Sequence, residues 1–274
     1  MSNEIGVGPL DAPAAFAIVC VETVNLAQST WFLRPKPAAD ARVRLFCFPY
    51  AGRGASMYAR WWEHLPAEVE VQGVQLPGRE NRLAEPLATD LLATASHVAS
   101  LLAPQLDRPF AFFGHSMGAL LAFETARALR RRGYREPGRL ILSGYRAPHF
   151  PNGAAGLPGL PDLELIAELQ RKYGGIPSFV IEDPELRALY LRVIRADLHM
   201  LENYVFAPEQ PLACGISAFG GEGDAMVDPA VLEGWRSQTR SSFDLRMFPG
   251  DHFFVASNSR MVLSAVAETL RQLC

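Results

Sequence analysis

The stretch FAFFGHSMG, residues 110–118, decides the fold. Its first four residues are apolar, as in a strand whose sheet is covered on both faces. The residues after it, 117–132, have the apolar periodicity of a helix. Between strand and helix, a G-x-S-x-G motif predicts a sharp turn that strains Ser116 and raises its hydroxyl above the sheet. Gly114 and Gly118 are required because side chains there would collide with neighbouring backbone.

Strand-like and helical segments alternate on both sides of this turn. Connections long enough for right-handed crossovers predict a mainly parallel central sheet flanked by helices. Between residues 149 and about 210 the pattern is Pro/Gly-rich and then helical, near 162–173 and 183–204. An insertion there would lie above the carboxyl ends of the strands, where ligands bind, so we predict a helical lid. The other segments expected to be strands are 42–48, 69–76, 139–143, 216–220 and 243–248, and helices are expected at 55–65, 89–106, 229–238 and 259–273.

A serine hydroxyl needs a general base to act as a nucleophile. His252 follows the last predicted strand in a Pro-Gly turn that can deliver its imidazole over Ser116. Asp224 follows the preceding strand and is the best candidate for the acid, with Glu222 as the alternative. Asp251 is weaker, because a neighbour in sequence rarely reaches Nδ1 of the histidine. The order serine, acid, histidine is that of the α/β-hydrolase fold, which we predict for this chain.

Hydrolysis through a tetrahedral intermediate needs two N–H groups that converge on the developing oxyanion. The backbone N–H of Met117, the residue after the nucleophile, is the first candidate. The second is expected from the loop after the first core strand, residues 49–52. Ala51 is our choice there, since a small residue lets the backbone approach the substrate closely.

Composition excludes several other functions. The net charge is −3 without a basic stripe, so we expect no nucleic-acid partner. Four cysteines and six histidines show no metal-ligand spacing, so we expect no metal or cofactor and free thiols. The apolar run at 12–24 is too short to span a bilayer and no positive charge precedes it, so we expect a cytoplasmic protein without a membrane partner. Residues 1–30 are interpreted as an N-terminal extension, partly disordered or due to an early start codon.

Several segments together resemble the type II thioesterases that accompany polyketide synthases and nonribosomal peptide synthetases. The similarity covers about residues 31–274, which we treat as one thioesterase domain. The LPGRE segment at 76–80 is more specific than the serine motif, because generic esterases lack it. Arg53 departs from the family, which usually has a second glycine there, and it could narrow or charge the entrance to the site. The segments are WF 31–32, FPYAG 48–52, QLPGRE 75–80, GHSMG 114–118, SGYRAP 143–148, RAD 195–197 and PGDHFF 249–254.

The resemblance implies an editing hydrolase that removes stalled or aberrant acyl groups from the phosphopantetheine arm of acyl or peptidyl carrier domains. It supports Ser116, Asp224 and His252 as the catalytic triad and Met117 and Ala51 as the oxyanion donors. The substrate brings its own phosphopantetheine, so no separate cofactor is expected, and a monomer is the default.

Three alternatives stay open. A medium-chain fatty-acyl carrier thioesterase would differ in acyl chain and carrier, whereas a general carboxylesterase would share the triad but lack LPGRE. A catalytically silent hydrolase fold could serve as a binding module. Leu198, Met200 and Tyr204 on the predicted lid either shape an acyl chamber or simply pack, and the arginines at 130–132 and 135 either face an acidic carrier or form a solvated helix end.

Overall fold

The computed structural model describes residues 30–151 and 154–273. The predicted N-terminal extension therefore lies outside the described residues, apart from Thr30. Within the described part of the chain, no helix is both long and apolar enough to cross a membrane.

A seven-stranded sheet forms the centre of the fold, and its order is β1-β3-β2-β4-β5-β6-β7. Every neighbouring pair is parallel except β1 and β3, which are antiparallel. This confirms the mainly parallel sheet. The strands are β1 Phe32–Leu33, β2 Val43–Phe48, β3 Val69–Val74, β4 Phe110–His115, β5 Arg139–Ser143, β6 Gly215–Gly221 and β7 Phe243–Phe248.

Helices cover the two faces of the sheet, and alternate side chains of β2 pack toward each face. Its residues alternate between two apolar clusters, with Phe46 and Phe48 in the cluster that includes α1 and α2. Leu45 and Cys47 belong to the cluster that includes α8. All four side chains are fully buried, as expected for a strand of period two between two helical layers. The helices are α1 Leu91–Leu102, α2 Met117–Arg131, α3 Asp162–Lys172, α4 Ser178–Glu182, α5 Pro184–Glu202, α6 Pro229–Glu233, α7 Phe254–Ser257 and α8 Ser259–Leu270.

The segment after β2 corrects one prediction. A continuous helix over 55–65 is wrong, because the chain forms two short 3₁₀ turns, Ala55–Tyr58 and Trp61–Glu63. Tertiary contacts explain the difference. The Tyr58 hydroxyl donates to the carbonyl of Phe48 at 2.6 Å, and Trp61 packs edge-on against Phe113 with ring centroids 4.7 Å apart. Such contacts outweigh helix propensity.

The chain between β5 and β6, residues 144–214, is the helical insertion and contains α3, α4 and α5. Residues of α3 and α5 line one cavity together with Ser116 and His252, so these two helices lie over the carboxyl ends of the strands. The longest, α5, starts at Pro184 and is capped by Asp183, whose carboxylate accepts the N–H groups of Glu185 and Leu186. Proline at the first helical position and an aspartate cap are a strong helix start.

Candidate active site

Ser116 occupies the turn between β4 and α2 in a strained conformation. Its φ and ψ are 52° and −124°, a region that residues with a Cβ rarely adopt. The turn is held because the N–H of Ser116 donates to the carbonyl of Ser143 at 2.8 Å. A Cβ at Gly114 would lie 2.1 Å from the carbonyl oxygen of Gly118. The glycine requirement predicted from the motif is therefore confirmed at position 114.

Gly118 brings α2 against the end of β2. A Cβ at Gly118 would lie 2.1 Å from the carbonyl oxygen of Phe48 and 2.7 Å from that of Pro49. This close contact fixes the loop after β2 beside the turn that carries Ser116. The two loops that are expected to supply oxyanion donors are thus joined backbone to backbone.

The structure brings Ser116, His252 and Asp224 together. Nε2 of His252 lies 3.0 Å from Oγ of Ser116, and its Nδ1 lies 2.6 Å from Oδ2 of Asp224. Asp224 is fully buried, and its Oδ1 accepts the N–H of Met226 at 2.9 Å. Because an ionised carboxylate can only accept, Nδ1 carries the imidazole proton and Nε2 is free to take the serine proton.

The rival acids do not reach the imidazole. Glu222 is exposed, and Asp251 is exposed with its carboxylate accepting the N–H of Phe253 at 2.9 Å. Of the three carboxylates considered from the sequence, only Asp224 contacts His252.

A second histidine, His115, packs against His252. His115 is fully buried, with its ring centroid 5.2 Å from that of His252 and its Nδ1 2.9 Å from Oγ of Ser143. Burial, reinforced by the charge that His252 can carry, holds the pKa of His115 well below its usual value. His115 is therefore a neutral ring at pH 7 and does not compete for the serine proton.

The predicted oxyanion donors lie on either side of Ser116. Met117 is the first residue of α2, a 15-residue helix whose N-terminus favours negative charge. Ala51 is in a turn closed by the N–H of Arg53, which donates to the carbonyl of Tyr50 at 3.1 Å. With Gly52 at φ 82°, this is a type II turn. Within residues 30–151 and 154–273, neither the Met117 nor the Ala51 N–H has a hydrogen-bond acceptor, so both can donate to a ligand.

A mostly apolar cavity opens above the triad. Its volume is about 760 Å³, including the part that is open to solvent. Burial raises the pKa of Tyr190 in its wall to about 12, so this phenol stays neutral. No cluster of His, Cys, Asp and Glu in the described segments could hold a metal ion. The wall residues from the helical insertion include Leu169, Ile176, Tyr190, Ile194, Leu198 and Leu201.

Of the three insertion residues considered for the chamber, one lines it and two do not. Leu198 lines the cavity, but Met200 is buried against Thr94 and Tyr204 donates its hydroxyl to Glu124 at 2.7 Å.

The arginines near the end of α2 already have internal partners. Arg130 pairs with Glu209 at 2.7 Å, Arg131 with Glu124 at 3.1 Å, and Arg132 donates to Oγ of Ser96. Arg135 donates to the carbonyl of Arg108. These contacts favour the interpretation as a solvated helix end over a surface for an acidic carrier.

One residue of the chamber wall escaped sequence reasoning. The ring centroids of Tyr173 and His252 are 4.9 Å apart, so Tyr173 extends the chamber wall over the catalytic base. Arg53 is exposed beside Tyr50 and Tyr190, and its charge partly offsets the increase in their pKa values that burial causes. The charge of Arg53 thus acts on two residues of the cavity wall, and its effect on the entrance stays a prediction. Tyr173 carries no pattern that separates it from an ordinary packing aromatic.

The thioesterase-domain family matches residues 43–274. The chain belongs to this family. Among similar proteins, the gramicidin S biosynthesis protein GrsT of Aneurinibacillus migulanus is 41% identical, with 88% of this chain and 94% of the relative aligned. A protein named linear gramicidin dehydrogenase LgrE, from Brevibacillus parabrevis, is also 41% identical over 92% and 96%. The medium-chain S-acyl fatty acid synthase thioesterase of Rattus norvegicus is 35% identical over 84% and 89%.

Solved thioesterase structures have the same fold. The RedJ thioesterase of the prodiginine pathway in Streptomyces coelicolor is 39% identical, with a TM-score of 0.79 over 95% of this chain and 96% of that one. The type II thioesterase BorB of the borrelidin cluster is 33% identical, with a TM-score of 0.77 over 88% and 96%. The resemblance to type II thioesterases and the α/β-hydrolase fold are therefore confirmed, and the chain is a thioester hydrolase.

Proposed function

We propose that this thioesterase removes stalled or aberrant acyl groups from carrier domains of a polyketide synthase or nonribosomal peptide synthetase. The observation that carries the proposal is the position of Ser116, with His252 at 3.0 Å, beneath a mostly apolar cavity whose wall includes Leu169, Ile194 and Leu198. Such a site holds an acyl chain next to a nucleophile. The names of the relatives, which place them in antibiotic and peptide biosynthesis, support the carrier-bound substrate.

Acylation begins when Oγ of Ser116 attacks the thioester carbonyl carbon and Nε2 of His252 takes the hydroxyl proton. The carbonyl oxygen becomes an oxyanion, which accepts the N–H groups of Met117 and Ala51. When the C–S bond breaks, the imidazolium returns the proton to sulfur and the pantetheine thiol leaves. Losing one oxyanion donor typically costs about 3 kcal/mol of transition-state stabilisation.

Deacylation repeats the same steps with water. Nε2 of His252 takes a proton from a water molecule as its oxygen attacks the acyl-serine, and the proton then returns to Oγ of Ser116. The products are the free acid and the regenerated serine. Asp224 holds the imidazole in the productive tautomer and stabilises it while it is charged.

The chamber favours acyl chains over charged substrates. Each buried methylene contributes about 0.8 kcal/mol, so a few methylenes against Leu169, Ile194 and Leu198 suffice for useful binding. The reaction needs only water besides the thioester, so we propose that no cofactor is bound. A monomer that works in the cytoplasm, with acyl or peptidyl carrier domains as partners, completes the proposal.

The test compares hydrolysis of one acyl group on three supports, a phosphopantetheinyl carrier protein, a small thioester and a simple oxygen ester. Ser116→Ala serves as the blank. We expect the highest kcat/KM on the carrier-bound thioester. Equal or faster cleavage of the oxygen ester would overturn the editing function in favour of a general carboxylesterase. Retention of wild-type turnover by Ser116→Ala would overturn the assignment of the nucleophile.

The second candidate is a medium-chain fatty-acyl carrier thioesterase, and the apolar wall of the chamber together with the rat relative favours it. The same assay separates the two when the acyl group is varied from acetyl to dodecanoyl on a fatty-acid carrier and on a synthetase carrier. A sharp preference for medium chains on the fatty-acid carrier would support the second candidate. Broad hydrolysis of short acyl groups on the synthetase carrier would support editing.

A further inference from the structure

The QLPGRE segment after β3 binds the backbone of the loop that carries Ala51. We call residues 49–56 the oxyanion loop. Oε1 of Gln75 accepts the N–H of Ala55 at 2.7 Å, and the carboxylate of Glu80 accepts the N–H of Ser56 at 3.2 Å. Arg79 donates to the carbonyl of Arg53 at 3.1 Å. Three polar side chains of one motif thus hold successive peptide groups of the loop.

The strongest restraint on this loop comes from the helical insertion. Asp197 of α5 accepts two hydrogen bonds from the guanidinium of Arg79, each of 2.7 Å. Its Oδ2 also accepts the N–H of Gly52 at 2.7 Å. The Asp197 side chain is fully buried, and that of Arg79 is 4% exposed. The Gly52 N–H, next to Ala51, is therefore bound to α5 through Asp197. Arg79 holds this carboxylate in a bidentate, charge-assisted pair.

A direct contact runs beside this ion pair. A Cβ at Gly52 would lie 3.1 Å from Cδ1 of Ile194 and 3.3 Å from Cε2 of Tyr190. Both side chains belong to α5 and line the acyl cavity. The oxyanion loop, α5 and the substrate chamber therefore meet at one residue.

The hydrogen bond from Gly52 to Asp197 fixes an orientation that the turn itself leaves open. Types I and II differ by a flip of the central peptide plane, here the one joining Ala51 to Gly52. The bond from the Arg53 N–H to the Tyr50 carbonyl forms in both types, so it does not select one. Because a peptide plane moves as a unit, Asp197 holds the Ala51–Gly52 plane when it accepts the Gly52 N–H. The Ala51 N–H lies in the preceding plane, which is joined to this one at Cα of Ala51.

A purely structural role would not require a carboxylate here. Buried ion pairs gain little stability over apolar residues of similar size, because both charges lose their hydration. The Gly52 N–H, by contrast, needs an acceptor, and Arg79 fixes where that acceptor lies.

We propose that Asp197, held by Arg79, is a positioning residue that keeps the Ala51 N–H aimed at the oxyanion. In consequence the hole is complete only when α5 of the helical insertion is seated on the oxyanion loop. The inference rests on the proposed function only in taking Ala51 as an oxyanion donor for hydrolysis.

The test uses Asp197→Leu, which removes the acceptor of the Gly52 N–H, with a small acyl thioester, and its matched control is Glu70→Leu. Glu70 is a fully buried carboxylate near the amino end of β3, paired with Arg34 and Arg44. Two inhibitors with the same acyl chain are compared. A trifluoromethyl ketone adds to Ser116 and forms an oxyanion, whereas a thioether mimics only the ground state.

We expect Asp197→Leu to lower kcat by about 10²-fold, the order of magnitude for one oxyanion donor, with little change in KM. Affinity for the ketone should fall by a similar factor, while affinity for the thioether stays unchanged. Glu70→Leu should lower stability but leave kcat and the ratio of the two affinities as in the wild type. An unchanged kcat in Asp197→Leu, or an equal loss of both inhibitor affinities, overturns the proposal.

A pair of double variants keeps the test decisive if the single variant does not fold. Arg79→Met with Asp197→Asn removes both charges but keeps an amide oxygen to accept the Gly52 N–H. Arg79→Met with Asp197→Leu removes the acceptor as well. The first should retain the larger kcat, and equal kcat values would overturn the proposal. The assay needs no carrier protein, so a failed carrier preference would overturn the proposed function and leave this result readable.

Discussion

Replacing Asp224 by asparagine tests how the triad controls its protons. The carboxylate is held from two sides, because Oδ1 accepts the Met226 N–H at 2.9 Å and Oδ2 lies 2.6 Å from Nδ1 of His252. In Asp224→Asn the amide oxygen keeps the bond from Met226, so the amide NH₂ turns toward the imidazole. Nδ1 must then accept, and the proton moves to Nε2, which can no longer take the proton of Ser116.

The size of the effect follows from that tautomer. The same substitution in serine hydrolases with this arrangement lowers kcat by about 10⁴-fold. At about 1.36 kcal/mol for each factor of ten, the barrier to acylation rises by about 5.4 kcal/mol. Since asparagine has nearly the same shape in this fully buried position, we expect binding of a ground-state thioether to change little.

The assay is single-turnover acylation with a small thioester, followed by release of the thiol. Glu222→Gln is the matched control, because Glu222 lies two residues away and is exposed. It should retain the wild-type rate. A rate for Asp224→Asn within about tenfold of the wild type would refute the tautomer argument, because the expected loss is about 10⁴-fold. A large loss in Glu222→Gln would move the acid to that residue.

Three further predictions concern strain, protonation and the chamber. Ser116→Gly should have a larger free energy of unfolding in urea than the equally inactive Ser116→Ala. The difference should be about 1 kcal/mol once the greater freedom of glycine in the unfolded chain is subtracted, and equal stabilities would argue against strain. His115 has a lowered pKa when folded, so the unfolded chain takes up its proton first and stability falls as the pH drops below about 6.5, by at most about 1.4 kcal/mol per unit. Unfolding titrations should find that contribution missing in His115→Asn, and identical pH profiles would contradict it. Leu198→Trp should fill space for about two methylenes and lower kcat/KM for long acyl thioesters by about tenfold relative to acetyl, and an unchanged chain-length profile would place the acyl chain elsewhere.

The positions of the site residues followed from the sequence because the mechanism restricts them. A nucleophile turn, an acid and a base must each follow a strand in a parallel sheet, and this located Ser116, Asp224 and His252 from local patterns alone. The same reasoning placed Ala51 after β2. The distances among them depend on how four loops pack, which no local pattern contains.

Other features depend on contacts between distant parts of the chain. Arg79 and Asp197 are 118 residues apart, and neither has a local pattern that indicates its partner. The 3₁₀ turns at 55–63 replace a helix because Tyr58 and Trp61 are drawn onto the sheet. The two-residue strand β1 is too short to show any alternation.

The helical insertion has a consequence for how selectivity can change. The reacting groups sit on short loops of the sheet, whereas most of the chamber wall comes from one continuous segment, residues 144–214. Acyl-chain selectivity should therefore be transferable. A graft of that segment from a related enzyme would replace most of the chamber wall and leave the catalytic residues in place. The graft would have to carry an aspartate that meets Arg79 and Gly52, which makes these two residues its anchor points on the recipient.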